Sequence, residues 1–286
     1  MTAWLRSARP ASQLYLALGL AVGWSLALRD GARLDGVTLA LLHAFGLFHQ
    51  LFIVWANDVA DEQTDRINTT ATPFSGGSRV LVRGELTGSQ LRRAAFVAAV
   101  MAQACALALS LRAGSPWPLL LGLAGALLLW AYSFAPIRLS YRGGGAWLQV
   151  AGLGVVLPLL AWASFAVTPS AHGLAVVGAL LPAQFACAIS TTLPDVPSDT
   201  ESGKRSFAVV HGASATTLVA TLCLLASVGL LAWLGAGLMV LLVIAGVLAT
   251  KHALIDDAEP GSTRLTVRLA MIVGAALALQ LAVVLR

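Results

Sequence analysis

The sequence predicts an all-α membrane protein: a bundle of nine transmembrane helices with a cytoplasmic N-terminus. Three observations carry that prediction. Residues of the AVILMFWYC class make up 58% of the 286 residues and charged residues only 11%, against roughly 25% charged in an ordinary globular domain. The apolar residues gather in runs long enough to cross a bilayer, ~17–25 residues as helix. The basic residues lie between those runs, mostly on one side.

The runs fall near 12–28, 37–57, 91–111, 117–135, 147–167, 172–193, 213–233, 236–250 and 266–285. Backbone groups in lipid must be satisfied within the segment, so these are helices, and none shows the alternation of a barrel strand. The first run follows Arg6 and Arg9 and imitates a secretory leader. Eight further runs behind it make it a retained helix. The runs follow one another through residues 1–286 and read as a single domain.

Nine crossings put the termini on opposite sides, and the basic residues choose between the two orientations. With the N-terminus inside, 14 of the 18 Lys and Arg lie inside, leaving Arg29, Arg33, Arg112 and Arg286 outside. The net charge of +5 therefore reports topology, and a nucleic-acid partner is not expected. Cys105, Cys187 and Cys223 all sit in apolar runs, which excludes a disulfide framework or a clustered zinc site. Acids are nearly free of topological sorting, yet 11 of 13 fall on the inside, all but Asp30 and Asp35. Such gathering points to function.

Two clusters stand out. After the second run come Asn57, Asp58, Asp61, Glu62 and Asp65. Asn57, Asp61 and Asp65 are spaced i, i+4, i+8, along one helix face. Like charges at that spacing repel, and a helix C-terminus adds partial negative charge, so a cation is needed against them. Oxygen donors without His or Cys select a hard ion, and Mg²⁺ is usually held by one or two carboxylates, water and substrate phosphate. The second cluster, Asp195 and Asp199, ends the sixth run among Pro194 and Pro197, which break the helix or start a new one. Each cluster follows an even-numbered run, and basic residues stand nearby. Together they suit a diphosphate held through Mg²⁺.

At these residues the sequence resembles the UbiA superfamily of intramembrane prenyltransferases. Its first motif has the form NxxxDxxxD, met by Asn57, Asp61 and Asp65; its second, DxxxD and then a Gly-Lys step, by Asp195, Asp199, Gly203 and Lys204. Nine transmembrane helices is also that family's count. The segments Phe74-Ser75-Gly76-Gly77-Ser78-Arg79 and Tyr132 to Gly143 are similar to loops of the dihydroxynaphthoate (menaquinone) branch. Ala146 stands where that branch usually has an acid, and Glu62 and Thr200 where many relatives carry Arg.

The resemblance implies transfer of a prenyl group from a polyprenyl diphosphate to an aromatic, quinone-precursor-like acceptor, assisted by Mg²⁺. On that reading Asn57, Asp61, Asp65, Asp195 and Asp199 form the metal shell, with Asp61 and Asp195 central to catalysis. Lys204, Arg79 and Arg138 are candidates for phosphate contact, the two arginines as bidentate forks. Asp58 is a candidate for orienting or deprotonating the acceptor. Tyr132 is either a diphosphate neighbour or an interfacial belt aromatic. His43 and His49, inside the second run, read as polar partners within the bundle. Donor, acceptor and membrane lipids are the expected partners, with no obligate protein partner. The implied setting is a bacterial inner membrane, with the active site facing the cytoplasm. Two alternatives remain at this stage: a membrane terpene cyclase on the same scaffold, and an ion or lipid transporter.

Overall fold

The computed structural model describes residues 2–69 and 76–234. The eighth and ninth runs, 236–250 and 266–285, lie outside the described residues, as do Phe74 and Ser75. Among the described residues every regular element is helical.

A short helix α1 (Ala3–Ser7) leads into α2 (Pro10–Arg29), where Pro10 takes the first helical position, whose N–H has no intrahelical partner anyway. Helix α3 (Gly36–Ala60) starts at Asp35, whose carboxylate accepts from the Val37 and Thr38 amides at 3.4 and 3.1 Å. Bonds from the Thr38 side chain and from Arg112 hold that carboxyl well below the usual carboxylate range. A short α4 (Glu62–Ile67) follows, and then α5 (Gly88–Ala113). Helix α5 opens on a reciprocal cap: the Gln90 amide donates to Thr87 Oγ1 at 3.2 Å, and the Thr87 amide to Gln90 Oε1 at 2.8 Å.

Helix α6 (Trp117–Ser133) precedes a composite segment of α7 (Gly145–Gln149), a π-helical stretch over Val150–Val156, and α8 (Leu157–Ala163). Helix α9 (Ala171–Ser190) gives way to a 3₁₀ turn at Leu193–Asp195 and to α10 (Val196–Glu201). The last described helix is α11 (Phe207–Trp233), non-helical at Gly212 (φ 80°, ψ 164°). That kink explains why the hydropathic run is legible only from 213, six residues into the helix.

Seven of the nine apolar runs thus coincide with helices. Five segments are long and apolar enough to span a bilayer, Gly36–Ala60, Gly88–Ala113, Gly145–Ala163, Ala171–Glu201 and Phe207–Trp233, and α6 is a shorter apolar helix. Large apolar side chains face outward on several of them, among them Phe96, Leu111, Leu127, Leu218 and Trp233. A helix apolar on all sides belongs in a bilayer, and this is an integral membrane protein.

Two cores meet at α2 and α8. Leu16, Leu20, Leu42, Phe45, Ala106 and Leu157 join α2, α3, α5 and α8; Val22, Leu26, Trp162, Leu180 and Leu231 join α2, α8, α9 and α11. The α2–α8 crossing depends on Gly23, where a Cβ would collide with the Pro158 carbonyl. Small residues permit such close backbone approach in membranes. Gly23→Ala is expected to destabilise the fold by about 1–3 kcal/mol, read as a lowered melting temperature in detergent; an unchanged value would show that the helices separate freely.

Candidate active site

Both acidic clusters sit where a helix ends. The winding of α3 breaks at Asp61 (φ −100°, ψ 10°), the residue between α3 and α4. The hydrogen-bond ladder nevertheless continues, from the Asp61 amide to the Asn57 carbonyl and from the Asp65 amide to the Asp61 carbonyl, each at 2.8 Å. The i, i+4, i+8 face therefore survives the break. Opposite it, Asp195 precedes α10 and Pro197 takes that helix's first turn, carrying Asp199 inward. Asn57, Asp61, Asp65, Asp195 and Asp199 all line one cavity of about 340 Å³.

Contacts across the cavity tie the clusters together. Lys204 Nζ lies 3.1 Å from Asp61 Oδ2 and 4.0 Å from Asp199 Oδ1. Asn68 Nδ2 donates to Asp195 Oδ1 at 2.8 Å. The Tyr141 hydroxyl donates to Asp61 Oδ1 at 3.2 Å and lies 2.7 Å from Thr64 Oγ1. Burial, and then the facing charges of Asp61 and Asp58, push the Asp65 carboxyl up to about 7. Burial alone would lower the Lys204 pKa, but the carboxylates, Asp61 above all, hold its proton more tightly than usual. Burial, with the Asp61 charge, raises the Tyr141 hydroxyl.

These residues suit a hard cation shared with a phosphate. Among the described residues no three His, Cys, Asp or Glu side chains gather into a self-sufficient metal site, but Mg²⁺ needs only one or two carboxylates when water and phosphate complete its octahedron. Four carboxylates line the cavity against Lys204, Arg9 and Arg205, and Arg9 is already paired with Asp58. The backbone closes directly on Asp65: Gly77 has φ +72°, and a Cβ there would collide with the Asp65 carboxylate.

Sequence comparison decides the family. The profile of the UbiA prenyltransferase family matches residues 18–273. The chain belongs to that family.

No curated protein matches the sequence. Among solved structures, a UbiA homologue from Archaeoglobus fulgidus, bound to DMAPP and Mg²⁺, is similar at 17% identity and a TM-score of 0.71, with 99% of each chain covered. An apo UbiA homologue from Aeropyrum pernix K1 is 17% identical, with a TM-score of 0.70 over 94% of this chain and 98% of that one. Digeranylgeranylglyceryl phosphate synthase is 15% identical, with a TM-score of 0.64 over 99% of this chain and 98% of that one.

Within this UbiA-family scaffold, seven of the ten residues expected at the site line the cavity: the five oxygen donors, Tyr132 and Lys204. The Tyr132 hydroxyl accepts from Gln149 Nε2 at 3.3 Å. Three others are engaged elsewhere. Asp58 accepts from Arg9, from the Ser78 hydroxyl and from the Ser78 amide, the last at 3.3 Å. Its carboxylate thus joins the start of α2 to the 76–80 loop, whereas the five oxygen donors line the cavity. Arg79 donates to the Asp65 carbonyl and, at 2.8 Å, to the Asn68 carbonyl, so it clasps the end of α4. Arg138 stacks on the Tyr141 ring at 3.6 Å from its centroid and reaches the Ala60 carbonyl at 3.5 Å.

Tyr141, Asn68, Arg9 and Arg205 escaped the sequence reading. Asn68 had a signal: it continues the 57, 61, 65 face by three residues. Tyr141 lies between Arg138 and Arg142 with no local signal of its own, and the positive charge of Arg9 and Arg205 is explained in the sequence by topology alone. Tyr141→Phe is expected to lower turnover about 5-fold, the worth of one hydrogen bond to Asp61, in a diphosphate-release assay; turnover equal to wild type would remove Tyr141 from the site.

Proposed function

We propose that this protein is an Mg²⁺-dependent intramembrane prenyltransferase that moves a prenyl group from a polyprenyl diphosphate to an aromatic acceptor. One observation carries the reading: both acidic helix ends line the same cavity, with Lys204 between Asp61 and Asp199. The DMAPP- and Mg²⁺-bound state of the Archaeoglobus homologue supports it, as does a second structure of that homologue with GPP and Mg²⁺, at 18% identity and a TM-score of 0.69.

Transfer breaks the bond between the allylic carbon and the diphosphate oxygen, whose electron pair leaves with the diphosphate. The ring supplies the pair for the new carbon–carbon bond and then passes its proton to water or to the released diphosphate. Magnesium, when bound, supplies positive charge to the leaving diphosphate, and Asn57, Asp61, Asp65, Asp195 and Asp199 are the residues we assign to hold it. Lys204 and Arg205 line the cavity as cations for the same oxygens, fixed before the charge develops and therefore effective in stabilising it. Tyr132 stands in the wall beside them. Leu128, Leu129, Leu153 and Val156 continue the cavity as an apolar surface suited to a hydrocarbon tail.

The similarity of the 76–79 and 132–143 segments to the menaquinone branch makes dihydroxynaphthoate the first acceptor to try. The excess of Lys and Arg between alternate runs supports a cavity mouth on the cytoplasmic side, in a single domain that we propose crosses the bilayer nine times. The deciding experiment incubates the purified protein with prenyl diphosphates of several lengths, with and without aromatic acceptors, in Mg²⁺ and in EDTA, and identifies products by mass. A prenylated acceptor formed only with Mg²⁺ is the expected result. A cyclic hydrocarbon or alcohol formed without acceptor would make the protein a cyclase, and no diphosphate release would remove the enzyme assignment.

A further inference from the structure

The cavity extends inward from the acids along α3, lined in turn by Asn57, Val54, Ile53, Gln50 and His49. At 1.5 Å rise per residue, His49 stands ~12 Å along the axis from Asn57. It is 4% exposed and stacks on Phe45, the ring centroids 5.1 Å apart. A Cβ on Gly125 of α6 would come within 3.0 Å of its Nε2. Among the described residues nothing bonds its Nδ1.

His43, on the same helix, shows the ordinary solution: its Nδ1 lies 2.8 Å from the Leu39 carbonyl, four residues back. His49 does not take it. Beside it Gln50 Nε2 donates to Ser12 Oγ at 2.6 Å, and both residues line the cavity. At this depth α2 and α3 present Ser12, Gln50 and His49 among Leu16, Ile53 and Val54, while Leu128, Leu153 and Val156 present a wholly apolar wall.

Resting on the transferase reading, the two walls sort the two substrates. The polar end of a prenyl diphosphate belongs with the acids and Lys204, and its tail carries nothing that bonds an imidazole. A tail packed on His49 would leave a buried polar group unpaired, which is unfavourable. We propose that His49 is a specificity-determining residue for the acceptor: its imidazole bonds a hydroxyl or carbonyl oxygen of the second substrate, and the tail lies on the opposite wall. A site built around such a bond discriminates against a ligand lacking the oxygen, because the site's own group is then left unpaired.

The test uses the full chain in detergent with geranyl diphosphate, Mg²⁺ and a series of naphthalenes and benzoates differing in ring hydroxyl and carbonyl groups. His49→Phe keeps the stacked ring and removes the bonding nitrogens. It is expected to raise the KM of oxygen-bearing acceptors about 10-fold or more, with the donor KM unchanged, and His49→Gln is expected to recover most of the loss. An unchanged acceptor KM, or a raised donor KM in its place, overturns the proposal. Should His49→Phe fail to elute as a folded species, His49→Leu takes its place: a raised KM confined to oxygen-bearing acceptors supports the assignment and an unchanged acceptor KM overturns it. Wild-type protein that releases no diphosphate with any acceptor would instead overturn the transferase reading itself.

Discussion

Asp61→Asn is expected to lower turnover about 10³-fold, the scale on which a pre-placed electrostatic group at a reacting centre is worth most, while the protein still elutes folded from detergent. Asp61 is held by three partners in the cavity: Lys204, Tyr141 and Asn57 all bond its carboxylate, at 3.1, 3.2 and 3.4 Å. The amide is isosteric but turns one accepting oxygen into a donor. If that donor faces Lys204 it repels the ammonium; if it faces Tyr141 it loses the hydroxyl's bond. Either way a carboxylate assigned to hold Mg²⁺ has lost its charge. Folding should survive, because Lys204 keeps Asp199 within 4.0 Å. The measurement is Mg²⁺-dependent diphosphate release beside a melting curve. Near-normal turnover in folded Asp61→Asn protein would end the assignment of this cavity as the active site.

Lys204→Met is expected to affect stability as strongly as activity. The side chain is 15% exposed and stands between two nearly buried carboxylates. Methionine keeps the apolar stem and removes the charge, leaving Asp61 and Asp199 facing each other with no ammonium between them. Breaking a buried pair from one side costs about 3–5 kcal/mol. In EDTA the variant should therefore melt well below wild type. Millimolar Mg²⁺ should raise its melting temperature more than it raises that of wild type, because the ion then supplies the missing countercharge. Turnover should fall about 10²-fold as one cation is lost from the leaving group. A variant as stable as wild type in EDTA, and no more responsive to Mg²⁺, would show that Lys204 does not neutralise the acids.

The helices were legible because hydropathy along a membrane segment reports its solvent directly. Seven apolar runs became helices with modest shifts at their ends, the largest at α11, where the Gly212 kink masks the first turns. The oxygen donors were legible because their spacing of four places them on one helix face, even across the break at Asp61. The basic residues were harder to read. Arg79 and Arg138 carry the charge and planarity that phosphate recognition wants, yet one clasps the end of α4 and the other stacks on Tyr141. Nothing local separates an arginine that will meet a ligand from one that will satisfy carbonyls. Asp58 shows the same limit: adjacent to the metal face in sequence, it is turned by the helix toward Arg9 and Ser78.

Taken alone, the sequence determined the solvent of this chain, the helices it forms there, and which acids share a helical face. Those follow from contacts a few residues apart, governed by hydropathy and a 3.6-residue turn. Only the tertiary structure decided which of those groups meet. The ion pair between Lys204 and Asp61 joins residues 143 apart, and the Asn68–Asp195 bond residues 127 apart. Such meetings depend on how α4 and α10 pack together, which no local period encodes, and the cavity with its polar and apolar walls exists only once they have.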